Sequence, residues 1–160
     1  MRVNAISCEC DLEQSKLFGE AYLPEEWLEQ DLFSIYEFFL GQINLSEFSY
    51  EGLPTKGYLY FFVETTNFKK MKAVVRLFDG EPSACTDFND GLFEENQEYL
   101  LTKDKFGEIE LFETHENLVK LISIPSHVLP FDCDFSRLCI TIDKANLLAG
   151  NYDACKLIFD

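Results

Sequence analysis

Residues 38–63 read FFLGQINLSEFSYEGLPTKGYLYFFV, in which two apolar runs, Phe38 to Leu45 and Tyr58 to Val63, flank a connection that ends in Leu53-Pro54-Thr55-Lys56-Gly57. Each run is short, rich in aromatic and aliphatic side chains and bounded by turn residues, which is the pattern of a strand. The stretch therefore sets the expectation of a β-rich fold.

Similar segments recur on both sides of it: Ile6 to Leu12, Ala73 to Phe78, Glu108 to Phe112, Leu138 to Ile142 and Ala154 to Phe159. Turn signals such as Asp79-Gly80-Glu81-Pro82 separate them, and nothing resembles the repeated long helices that parallel βαβ units require. The expected class is α+β, mainly antiparallel β with a few short helices. Asp143 is placed to cap a helix over Lys144 to Ala149, with Gly150 as its left-handed exit. Thr114 is read as opening a turn or two of helix through Leu121. Leu28, Leu32, Ile35 and Phe39 also fit one helical face, although that window runs into the first apolar run. No linker, low-complexity tract or repeat divides the chain, so residues 1–160 are expected to form a single compact domain.

A chain of 160 residues with 16 Phe, 7 Tyr and 1 Trp can bury a substantial core. Its net charge of −16 repels phosphate backbones and anionic headgroups, which argues against nucleic acid and membrane surfaces as partners. No apolar run approaches the ~20 residues of a membrane helix. The opening MRVNAISCECDLEQ lacks the apolar stretch of an export signal, so the expected location is the cytoplasm, with the six cysteines as reduced thiols. Cys8 and Cys10 are expected to share a strand face with Ile6 and Leu12. Cys85, Cys133, Cys139 and Cys155 are scattered, no CxxC pair occurs and the histidines are His115 and His127, so neither a zinc site nor another cofactor is expected.

Residues 14–27, QSKLFGEAYLPEEW, are similar to the SK-x-GG-x-P-x-LP-x-x-x-WP opening of YwqG-like proteins through Ser15, Lys16, Gly19, Leu23, Pro24 and Trp27. Glu20 replaces the second Gly of that pattern and Leu28 the final Pro. FLGQINLSE at 39–47 and LPTKGYLYFFV at 53–63 follow in the same order as two further family blocks. The chain thus resembles the YwqG family, also called DUF1963, over its first half, with a thinner likeness after Phe88. Being shorter than typical members, it lacks their late motifs. The resemblance implies a compact, mostly β domain; the family's activity is unknown.

Lys16, Tyr22, Trp27 and Gln42 are the candidate ligand-binding residues. Gln42 lies in an apolar strand, where a buried amide needs partners, either a ligand or the backbone of a neighbouring loop. Lys16 stands out in an acidic chain and, with Tyr22 and Trp27, would supply the polar handle of an aromatic pocket. Asn44 poses the same choice as Gln42, with turn capping as the alternative. Asp87-Phe88-Asn89-Asp90-Gly91 imitates a calcium loop, but position six is Leu92 where Gly is required, so a solvated turn is expected. The Asp132-Cys133-Asp134 run reads as a loop. Glu25-Glu26 and Glu94-Glu95 read as solvent-facing pairs. No nucleophile elbow, phosphate loop or catalytic residue pattern occurs. The leading expectation is a non-catalytic intracellular binding or protein-interaction domain with a protein partner, in one variant a basic one. The alternative is a small-molecule-binding domain or hydrolytic enzyme with a cleft near the N-terminal aromatic segment.

Overall fold

The run Tyr58 to Val63 is continuously apolar because both faces of its strand are covered. The computed structural model describes residues 1–67, 70–93 and 97–160. In chain order its elements are β1 (Arg2–Ser7), β2 (Lys16–Leu17), β3 (Ala21–Leu23), α1 (Glu25–Glu29), β4 (Glu37–Asn44), β5 (Tyr58–Asn67), β6 (Lys70–Phe78), β7 (Ala84–Thr86), β8 (Tyr99–Lys103), β9 (Ile109–His115), β10 (Leu118–Pro125), β11 (Arg137–Asp143), α2 (Lys144–Leu148) and β12 (Lys156–Phe159). Ten strands make one sheet in the order β12-β11-β10-β9-β1-β8-β2-β4-β5-β6, and β3 pairs with β7 in a separate ribbon. Every pairing is antiparallel. The end strands β12 and β6 come together, so the sheet curls into a nearly closed barrel.

Inside the barrel lies the main core, to which β5 contributes Leu59, Phe61 and Val63. The alternate residues Tyr58, Tyr60 and Phe62 point outward into a second cluster with Ala21, Leu23 and Phe39, covered by the segment that carries β3 and α1. Period-two alternation with both faces buried makes the sequence read as one apolar block.

A bulge in β4 decides which face Gln42 takes. Phe39 stands opposite Phe62, but the next paired residue is Gly41, opposite Phe61, which leaves Leu40 as the extra residue. Both Phe38 and Ile43 belong to the inner core, although unbroken alternation would put residues five apart on opposite faces. The extra residue turns Gln42 outward, beside Tyr60.

Several expectations need correction. Thr114 to Leu121 is no helix: β9 and β10 form a hairpin in which His115 faces Leu118 and Glu116 adopts a left-handed φ of 55°. The aliphatic run of β10 hydrogen-bonds to β9 on one side and β11 on the other, and those ladders outweigh the local helix-start signal. The first strand ends at Ser7, so Cys8 and Cys10 lie in the following loop and do not share a strand face with Leu12. The helical face Leu28-Leu32-Ile35-Phe39 does not form, because α1 stops at Glu29 and Asp31 turns the chain with φ 54°. Asp143 stands at the start of α2 and Gly150 follows it with φ 72°, as expected, although the Asp143 side chain makes no capping hydrogen bond.

Candidate functional site

The N-terminal segment is fastened to the outer face of the barrel by polar side chains in otherwise apolar strands. Gln42 is fully buried; its Nε2 donates to the carbonyls of Leu12 at 2.7 Å and Gln14 at 3.0 Å. Its Oε1 accepts the Tyr22 N–H at 2.9 Å, and the Tyr60 hydroxyl donates to the Tyr22 carbonyl at 2.6 Å. Two residues further along the same pair of strands, Asn44 Nδ2 and the Tyr58 hydroxyl both donate to the Glu13 carbonyl at 2.9 Å. Asn44 Oδ1 meanwhile caps the turn at Ser46. These bonds form a seam that satisfies loop backbone which would otherwise be buried without partners.

Lys16 stands opposite Gln42 on β2, is 1% exposed and has Glu98 Oε2 at 3.7 Å from its Nζ. Trp27, on α1, packs edge-on against Tyr60 at 5.6 Å and Phe78 at 5.7 Å, while Tyr22 meets Tyr58 at 5.9 Å. The structure thus gathers the four sequence-derived residues along one stretch of the outer face. Both N–H groups of the Gln42 amide are directed to backbone carbonyls. Tyr58, Tyr60 and Asn89 complete this construction, and only the repeated Tyr in YLY hinted at it.

Asn89, in the run that imitates a calcium loop, is fully buried: its side chain bonds the N–H and the carbonyl of Phe39, each at 2.9 Å. Among the described residues no cluster of three or more His, Cys, Asp or Glu could hold a metal ion. Glu25 and Glu26 are exposed, and the Glu94-Glu95 pair lies outside the described residues.

Two features face outward. The first is the loop between α1 and β4, where Leu32 is 47%, Ile35 91% and Tyr36 51% exposed. This loop is held firmly. Phe33 inserts among Phe62, Phe88 and Trp27, and the Arg76 guanidinium lies 4.4 Å over its ring. Arg76 also donates to the Leu32 carbonyl at 3.2 Å and to both oxygens of Glu37, at 2.9 and 3.1 Å. Thr65 holds the far end through its N–H to the Tyr36 carbonyl at 3.0 Å. Exposed Glu25, Glu26, Glu29 and Asp31 precede the apolar side chains.

The second is a cleft of 710 Å³ at one side of β8, walled by Tyr99, Gln97, Phe131 and the 3₁₀ turn Ser126–Val128. His127 separates it from a smaller hollow of 180 Å³ and pairs with Glu108 at 2.7 Å.

The exposed loop and the strand side of the seam, Gln42, Asn44, Tyr58 and Tyr60, fall within the region recognised by comparison. Residues 15–76 match the family DUF1963, a domain of unknown function. No curated protein matches the chain. The DUF1963 segment covers β2 to most of β6 and includes all four candidate residues, the bulge and the exposed loop. The cleft lies largely outside it, since its walls after Phe18 come from Gln97 onward. No described helix is long and apolar enough to cross a membrane.

Proposed function

We propose that this chain is a non-catalytic intracellular binding domain that docks a basic protein segment through residues 31–36. The observation that carries this reading is Ile35, 91% exposed between the exposed side chains of Leu32 and Tyr36. Solvent is an unfavourable place for three large apolar groups on one loop, and such a patch is typical of an interaction surface. The anchoring of Phe33, Arg76 and Thr65 fixes the loop before binding, so little ordering entropy is lost on association. The acids of α1 and a net charge of −16 favour a partner that brings Lys and Arg around an apolar pocket.

The test is capture from a lysate of the source organism at low and moderate salt, with wild-type protein beside an Ile35→Ser/Tyr36→Ser variant. A basic protein retained by the wild type, weakened by salt and lost by the variant supports the proposal. An identical set of proteins on both baits overturns it.

A second reading, a small-molecule-binding domain, is favoured by the 710 Å³ cleft, whose aromatic and polar walls would suit a small polar ligand. A ligand screen by thermal shift, repeated on Tyr99→Ala, tests it. We also read residues 1–160 as one shortened YwqG-like domain. In support, β2 of the DUF1963 segment pairs with β8, so the segment shares its sheet with the rest of the chain.

A further inference from the structure

The loop after β1 brings two thiols together next to Glu98, on the strand edge that also carries Gln97 and Tyr99 of the cleft. The sulfurs of Cys8 and Cys10 are 3.9 Å apart, with Cys8 exposed and Cys10 half-buried. One residue fixes the backbone on both sides of Glu9: the Cys8 N–H donates to the Glu98 carbonyl at 3.3 Å, and the Cys10 N–H to Glu98 Oε1 at 2.6 Å. Glu98 in turn has the buried Lys16 ammonium at 3.7 Å. The two thiols are therefore held side by side at the surface by an arrangement tied to Lys16 at the start of β2.

We propose that Cys8 and Cys10 form a reversible modification site, a dithiol that a hydroperoxide converts to an intramolecular disulfide. Cys8, the exposed member, attacks as the thiolate one oxygen of the peroxide. The O–O bond breaks, the departing oxygen takes up a proton and leaves as water or an alcohol, and Cys8 becomes a sulfenic acid. The Cys10 sulfur then attacks the Cys8 sulfur; the S–S bond forms, the S–O bond breaks, and hydroxide leaves with the Cys10 proton as water. Two thiols lose two electrons and two protons, and the peroxide is reduced.

The division of labour follows from the surroundings. Burial, then the Cys8 sulfur and the Glu98 carboxylate, push the Cys10 thiol up to about 12, and the exposed Cys8 is the thiol that meets the peroxide first. Closing the sulfurs from 3.9 Å to a bond of ~2.05 Å draws Cys10 and Cys8 together. A bridge across one intervening residue, exposed to solvent, is of the strained and readily reduced kind.

The sequence supplies a clean readout, because trypsin releases Val3 to Lys16 with Cys8 and Cys10 as its only cysteines. The full chain is treated with hydrogen peroxide, blocked with iodoacetamide, digested and weighed. The expected result is a Val3–Lys16 peptide lighter by two hydrogens and without alkylation, which accepts two blocking groups after dithiothreitol. Cys8→Ser is expected to leave Cys10 reduced and fully alkylated at the same peroxide dose. The proposal is overturned if Cys8 proceeds to sulfinic acid while Cys10 remains alkylatable, if Cys8 is found bridged to another cysteine, or if both thiols stay reduced while Cys85 is oxidised.

Discussion

The side chain of Asn89 replaces a missing strand at Phe39: Oδ1 accepts the Phe39 N–H and Nδ2 donates to the Phe39 carbonyl, each at 2.9 Å. β2 is only two residues long and pairs with Gln42 and Gly41, so it ends before it reaches the bulge. Asn89→Ala leaves a buried donor and a buried acceptor without partners and is expected to cost about 2–4 kcal/mol. Urea unfolding of wild type and variant measures this. A change under about 0.5 kcal/mol, the size of an ordinary surface substitution, would show that water replaces the amide.

Gln42→Ala removes the partners of the Leu12 and Gln14 carbonyls and of the Tyr22 N–H together. We expect a loss of about 2–4 kcal/mol and faster hydrogen exchange at Tyr22 than in the barrel interior. Unchanged exchange at Tyr22 would mean that the Tyr60 hydroxyl alone holds this segment.

Gly41 allows β2 to approach the bulge. A Cβ there would meet the Lys16 carbonyl at 2.6 Å and Leu17 Cδ2 at 3.0 Å, so backbone has to move. Gly41→Ala is expected to destabilise the protein by about 1–3 kcal/mol, with the amides of β2 exchanging early in native-state hydrogen exchange.

Alkaline pH should unfold the protein in a defined window. Burial, followed by Tyr22 and the carboxylates of Glu13, Glu47 and Glu81, pushes the Tyr58 hydroxyl from 10.0 up to about 12, and burial pushes Tyr60 up as well. Cys155 moves from 9.0 to about 12, chiefly by burial and secondarily through Asp153. A folded-state pKa above the unfolded one means that the unfolded chain gives up its proton first as pH rises. The stability these groups contribute is therefore complete below about pH 9 and is lost progressively towards pH 12. Urea midpoints across this range should be flat and then fall, and Tyr58→Phe should make the fall shallower.

Ile35→Ser should leave the unfolding midpoint within about 0.5 kcal/mol of wild type, because the side chain is almost wholly in solvent. Phe33→Ala, two residues away, should cost about 3–5 kcal/mol, since that ring fills the cluster around Phe62 and Phe88. Similar losses for the two variants would show that the loop does not separate an inward anchor from an outward face as described.

The sequence by itself determined that this is a mainly antiparallel β protein and where about half of its strands lie, because a strand buried on both faces, such as Tyr58 to Val63, must be written in apolar residues. It also marked Gln42 as a residue needing partners, since an amide inside an apolar strand is costly when left alone. Tertiary structure alone decided who those partners are. Alternation along β4 cannot reveal a bulge that turns Gln42 outward, as the extra residue leaves no compositional trace. Thr114 to Leu121 carries a helix-start signal that the ladders of β10 with β9 and β11 override. Whether Ile35 is buried or bare depends on α1 stopping at Glu29 and on the hold of Arg76 and Glu37 on the loop. These contacts join residues distant in sequence, and only the closure of the barrel brings such pairs together.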